Sequence, residues 1–207
     1  MGNDADRYRR FLDGDDNGLR EIIDIYYNGL ILYIYGIVSD QSETEDIVQE
    51  TFVTLATKKP KYQEKYEFKT WLFTIARNNA YNYLKRHRSR YTDKPIDDYI
   101  ILSDGTDIEK EYLRTERNIE LHKAMKGLNH DYYQVLYLMY FEDLDTEKIA
   151  VVMHKSKRQI GDLIYRAKKS LKSILEKAGF QYDVRGNFYW NQVFFFDETQ
   201  YSRNSGN

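Results

Sequence analysis

The stretch EDIVQETF, residues 45–52, sets Asp46, Gln49 and Glu50 at i, i+3 and i+4, and Val53 follows at i+7. At 3.6 residues per turn these four share one side of a helix, while Ile47, Val48, Phe52 and Leu55 gather on another that can enter a core. Two carboxylates and an amide so spaced form either a solvated face or a hydrogen-bonding surface for a partner. Positive charge is concentrated elsewhere. KRHRSR (85–90) is almost wholly basic, and residues 155–177 hold eight Lys or Arg against Asp162 and Glu176. The formal net charge of -2 argues against a nucleic-acid partner for the chain as a whole, but local patches set the electrostatic footprint. A charge run is also the ordinary look of a solvated face.

Catalytic chemistry finds no foothold. There is no paired-carboxylate arrangement, no nucleophile beside a base and no phosphate loop. His87, His122, His130 and His154 lack the spacing of metal ligands, and the absence of cysteine excludes disulfides and thiolate sites. No enzyme activity, metal or cofactor is expected. The start, MGNDADRYRRFLDGDD, has no apolar segment of signal-peptide type, and no uninterrupted apolar run of about 18 residues occurs. A cytoplasmic protein without membrane insertion is expected.

The elements that must carry these groups are helical. With 207 residues, 42% of them hydrophobic, the chain can build one or two cores. Only Pro60 and Pro95 interrupt it, and helical periodicity dominates from Arg7 to Leu175, so the fold class is all-α. A first helix over about Gly18 to Val38 carries Leu19, Ile22, Ile23, Tyr26, Tyr27 and Leu30 as its apolar stripe. Ser42, with Glu45 three residues on, predicts the cap of a second helix that stops near Pro60. A basic, aromatic loop, KYQEKYEF, leads to a third helix in KTWLFTIARNNAYNYLKRHR, with Trp71, Leu72, Ile75, Ala76, Ala80, Tyr83 and Leu84 facing the first two. These three make a bundle occupying 7–90. Residues 91–107, rich in Asp, Ser, Thr, Pro and Gly, read as a flexible linker. A second domain spans 108–179, where Tyr132, Val135, Leu136, Met139 and Tyr140 form a stripe. In the tail, 180–207, nine of 28 residues are aromatic; an Arg185-Gly186-Asn187 turn between short strands and a frayed terminus are both compatible with it.

Within the second domain, DTEKIAVVMHKSKRQIGDLIYRAKKSLK predicts a helix-turn-helix. Ile149, Ala150 and Met153 give a short helix its apolar face, and Ser156 with Gln159 forms a capping box just past His154. Ile160 can plug the crossing, Ile164, Ala167, Leu171 and Leu175 point inward, and the outer side is basic. His154 stands where the turn commonly uses glycine. An ordinary helical hairpin with a basic exposed side is the competing description.

Both domains resemble one family, the bacterial RNA polymerase sigma factors of the extracytoplasmic-function type. SETEDIVQETF, FKTWLFTIARNNAYNYLKR and LNHDYYQVLYLMYFEDLDTEKIAVVM...IYRAKKSLK occur in that family's order and spacing, as its regions 2 and 4. The resemblance implies that Asp46, Gln49, Glu50 and Val53 dock on the clamp helices of the largest subunit of core RNA polymerase. It implies minus-ten recognition and melting by Lys61, Tyr62, Lys65, Tyr66, Phe68 and Lys69 in the loop, and by an outward polar face of Arg77, Asn78, Tyr81, Asn82, Lys85 and Arg86. For the minus-thirty-five element it points to Arg158, Gln159, Tyr165 and Arg166 on bases, with Lys155, Lys157 and Lys169 on phosphates. Gly161, Asp162 and Leu163 depart from the basic and hydroxyl residues that the family presents after the plug. The implied partners are core polymerase, promoter DNA and an anti-sigma factor. A two-domain helix-turn-helix regulator that never enters polymerase is the alternative function.

Overall fold

The structure is a computed structural model that describes residues 4–87 and 116–177. The linker at 91–107 and the tail at 180–207 lie outside the described residues. Every described regular element is a helix. Residues up to Leu171 belong to one compact unit, and the chain from Lys172 belongs to a second.

The first helix is one that apolar periodicity does not announce. α1 (Asp4–Leu12) has Asp4 and Asp6 in its first turn and Arg9 and Arg10 in its last, which complements the helix dipole, and it buries Ala5, Tyr8 and Phe11. It crosses α2 (Asp16–Val38) closely enough that a Cβ on Gly18 would lie 2.2 Å from the Arg7 carbonyl oxygen. The expected three-helix bundle is thus a four-helix one: α1 packs on α2 and α4, α2 on α3 and α4, and α3 on α4.

α3 (Gln41–Lys58) is capped by Asp40, whose carboxylate accepts from the Glu43 N–H at 2.9 Å; Ser42 lies inside the helix. The displacement follows from the way α2 ends. Ser39 is left-handed (φ 59), so Asp40 is the first extended residue available to cap the next helix. Lys59, also left-handed, closes α3 just before Pro60. α4 (Phe68–Arg86) completes the bundle. By length and composition α2 alone among the described helices could cross a membrane, but 61% of that stretch is buried, as befits a core helix.

The C-terminal part comprises α5 (Glu116–Met125), α6 (His130–Tyr140), α7 (Thr146–Met153) and α8 (Lys157–Lys177). Of the α6 stripe, Val135 and Leu136 are buried, while Tyr132, Met139 and Tyr140 are only half-buried. Tyr133, Gln134, Tyr137 and Leu138 are buried as well. The reason is that α6 meets α7 on one side and α2 on the other, and α7 packs in turn on α4.

Candidate nucleic-acid interface

On α3 the acid and amide patch is laid out as expected. Asp46, Gln49 and Glu50 are exposed, Val53 is 55% exposed, and Ile47, Val48, Phe52 and Leu55 are buried. Neither Asp46 nor Glu50 has an ion-pair partner among the described residues, unlike Asp4 and Glu21, which hold arginines of α1. The patch stands on a rigid support. The buried Thr51 hydroxyl donates to the Ile47 carbonyl at 2.9 Å and accepts from Asn79 Nδ2 of α4 at 3.1 Å.

The loop before α4 is pinned from beneath. Phe68, expected to meet DNA, is 3% exposed and belongs to an aromatic cluster with Tyr8, Tyr26, Tyr62 and Trp71, at ring separations of 5.3–6.2 Å. It is core, because Tyr8 of α1 and Tyr26 of α2 supply rings on which it packs. The Tyr8 hydroxyl donates to the Pro60 carbonyl at 2.8 Å, and burial pushes its pKa up to about 12. The Tyr62 hydroxyl donates to the Tyr66 carbonyl at 2.6 Å. The loop offers solvent Lys61, Lys65 and Tyr66 together with Gln63, Glu64 and Glu67, and Lys65 Nζ lies 5.4 Å from the Tyr66 ring. Glu64 draws Arg9 to this loop at 2.8 Å.

Along α4, Asn78, Tyr81, Asn82, Lys85 and Arg86 are exposed, but Arg77 is not part of an outward face. It is 8% exposed, because α6 covers it. Its Nε donates to Gln134 Oε1 at 3.0 Å, its guanidinium lies 4.2 Å from the Tyr81 ring centre, and Gln134 Nε2 donates to the Tyr81 hydroxyl at 3.1 Å. Lys69, half-buried, reaches the Glu142 carboxylate at 3.2 Å and its carbonyl at 3.1 Å. His154 Nε2 and Asn78 Oδ1 are 2.8 Å apart.

The helix-turn-helix is built as its local residues predict. Asp145 accepts from the Glu147 and Lys148 N–H groups, each at 2.9 Å, and the Lys148 amide leads in holding the Asp145 carboxyl below its ordinary pKa. His154 takes the left-handed turn (φ 52, ψ 41). Ser156 N–H donates to Gln159 Oε1 at 2.8 Å, and Gln159 N–H donates back to Ser156 Oγ at 3.2 Å. Ile160 is fully buried. Leu163 is 6% exposed and belongs to the core, so it is no reading position, while Asp162 beside it is exposed. Lys157, Arg158, Gln159, Tyr165, Arg166 and Lys169 are all exposed. Lys155 is half-buried and pairs with Asp131 at 3.2 Å. Lys157 pairs with Glu147, Arg166 Nε donates to the Asp162 backbone carbonyl at 3.3 Å, and the cap uses the Gln159 side-chain amide oxygen, Oε1. The residues that meet α2 and α4 from α6, His130, Tyr133, Gln134 and Tyr137, carry no signal in the sequence beyond that of a core helix.

Among the described residues no cluster of three or more His, Asp or Glu could hold a metal. Residues 22–90 match the family model of sigma-70 region 2, and residues 118–171 match that of sigma-70 region 4. An extracytoplasmic-function RNA polymerase sigma factor of Bacillus subtilis, SigM, is 25% identical over 162 residues, covering 76% of this chain and 95% of SigM. The chain belongs to the sigma factors of the extracytoplasmic-function type. The sigma-H factor of Pseudomonas aeruginosa is 27% identical to this sigma factor over 171 residues, 79% of the chain and 89% of its own length. Two solved structures share the sigma factor's fold. CnrH, in complex with the cytosolic domain of CnrY, aligns with a TM-score of 0.58 and 16% identity over 84% of this chain and 97% of its own. RpoE of Bartonella quintana, in complex with the anti-sigma factor NepR, aligns with 0.56 and 20% over 76% and 96%.

Proposed function

We propose that this sigma factor binds the clamp helices of core RNA polymerase through Asp46, Gln49, Glu50 and Val53, and directs the enzyme to promoters that region 2 opens and region 4 anchors. The observation that carries the reading is the α3 patch. Two carboxylates stand exposed without ion-pair partners among the described residues, on a helix locked to α4. That is a surface ready for charge-assisted hydrogen bonds from arginines. Lys61, Lys65 and Tyr66 supply a phosphate track and a stacking ring for an unpaired base of the minus-ten element. Asn82, Lys85 and Arg86 continue the track along α4. Arg158 and Arg166 lead the outer face of α8 toward the minus-thirty-five element. The protein makes and breaks no covalent bond, and it acts in the cytoplasm, where polymerase is. The complex of RpoE with the anti-sigma factor NepR supports an anti-sigma factor as a further partner.

Transcription in vitro from a promoter library, with and without added core enzyme, tests this. Core-dependent transcripts are expected with the wild-type chain. Asp46→Ala with Glu50→Ala should weaken core binding about tenfold, or about 1.4 kcal/mol, with helicity by circular dichroism unchanged. Unaltered affinity at unaltered helicity would remove the patch from the docking surface.

A further inference from the structure

α1 lies ahead of the residues that match the region 2 model, which begins at position 22, yet it holds the loop read above as the promoter-opening element. Three of its residues grip three points of the loop. The Phe11 ring lies 4.8 Å from Lys59 Nζ, the Tyr8 hydroxyl donates to the Pro60 carbonyl at 2.8 Å, and Arg9 donates to Glu64 Oε1 from Nε at 3.2 Å and from Nη2 at 2.8 Å. Two of the points gripped, Lys59 (φ 42) and Glu64 (φ 55), are left-handed without being glycine. That conformation is costly for a residue with a Cβ and persists where surrounding contacts fix it. At Glu64 those contacts are two. Tyr62 closes the loop across it by donating to the Tyr66 carbonyl, and Arg9 holds its carboxylate from outside.

α1 is itself fastened to the bundle. Arg7 and Arg10 both donate to Glu21 of α2, at 2.9 and 2.8 Å, and Tyr8 and Phe11 are buried. Of the three arginines of α1, Arg9 is the one that turns to the loop. Lys61 lies in sequence between the gripped positions, and Lys65 and Tyr66 follow directly after Glu64. A loop held in place before DNA arrives loses less freedom when it captures an unpaired base.

We propose that Tyr8 and Arg9 are positioning residues for strand opening: α1 braces the loop in its left-handed turn, so that Lys65 and Tyr66 are presented to the unpaired strand, and Arg9 acts through Glu64 rather than by touching DNA. This rests on the reading of the loop as the melting element.

The test uses the full-length chain with core polymerase on a promoter that the wild type opens. Permanganate reactivity of melted thymines reports opening, and titration of core enzyme reports docking. Arg9→Ala should lower opening about threefold. Tyr8→Phe, which keeps the ring and removes the hydroxyl, should lower it about fivefold. Core affinity should be unchanged in both. Glu64→Gly separates positioning from charge by its sign. It removes a negative charge, which by electrostatics alone would favour DNA, and glycine suits the left-handed turn. It also cuts the tie to Arg9, so opening should fall about threefold. Arg9→Ala added to Glu64→Gly should then bring no further loss, because the two act as a unit. Circular dichroism reports folding, and if Tyr8→Phe loses helicity the exposed pair of Arg9 and Glu64 carries the test. Unchanged opening in Arg9→Ala, a gain in Glu64→Gly, or a full further loss in the double variant overturns the proposal, the last by making Arg9 a DNA contact in its own right. Lys65→Ala and Tyr66→Ala separate the two ideas. If both leave opening intact, the reading of the loop fails and the brace fails with it, whereas a loss in these two without a loss in Arg9→Ala defeats the brace alone.

Discussion

Asp162 and Arg166 stand one turn apart on the open side of α8, with Arg166 Nε donating to the Asp162 carbonyl. The guanidinium is therefore steadied against its own helix, and its remaining donors face solvent. A cation so placed, beside an acid that repels phosphates, suits a backbone contact better than a two-pronged grip on a guanine. Arg166→Ala is expected to weaken binding to randomised duplex DNA almost uniformly and to make the salt slope shallower by about one unit. Asp162→Ser is expected to strengthen the same binding. Titrations at two salt concentrations check both. A loss confined to one base position would instead make Arg166 a reader, and no change in either variant would remove this helix face from DNA. Single residues are also where sequence pattern misleads most. Arg77 and Phe68 have the types a DNA face needs, and both are buried, because α6 and α1 supply partners from outside their own segments.

At the scale of elements, the caps decide where helices begin, and their energies can be tested. Asp145 is held below its ordinary pKa, chiefly by the Lys148 N–H. A depressed carboxyl contributes stability that is present above its ordinary value and lost as pH falls through the depressed one. Asp145→Ala should cost about 1 kcal/mol at neutral pH, whereas Asp145→Asn should keep most of the cap and remove this acid-dependent part. Urea denaturation at neutral and acid pH measures both; equal stability of Asp145→Ala and wild type would mean that α7 begins without help from this side chain. The Ser156 and Gln159 box and the left-handed His154 were legible in the sequence because each is settled within four residues. The cap of α3 was not. Whether Ser42 or Asp40 takes that role depends on how α2 ends, and a left-handed serine at position 39 leaves no periodic trace.

For the whole molecule, helix class and the order of regions 2 and 4 follow from periodicity and motif spacing, but the packing of α6 on α2 does not. Its hydrogen bonds join residues 94 to 108 positions apart, and each tyrosine taken singly reads as an ordinary core aromatic. One of them has a chemical consequence. Tyr133 has a single hydroxyl proton, and the Leu32 carbonyl takes it at 3.1 Å. With that proton directed at the Leu32 carbonyl, the hydroxyl oxygen is left to accept from His122 Nε2, 2.6 Å away, in the tautomer that carries hydrogen on that nitrogen. If α6 leaves α2, the Leu32 carbonyl stays behind on α2, and the phenol is released to donate to the imidazole instead. The ring then loses its reason to keep the proton on Nε2. Nitrogen-15 spectra of histidine-labelled protein should show a protonated His122 Nε2 in the wild type and a shift toward the other tautomer in Gly36→Leu, since a Cβ on Gly36 of α2 would sit 2.0 Å from the Tyr133 ring. A tautomer that stays put in a chain shown to be open would mean that Leu32 does not govern it. The imidazole is thus a magnetic-resonance witness, intrinsic to the chain, to whether its two regions are together.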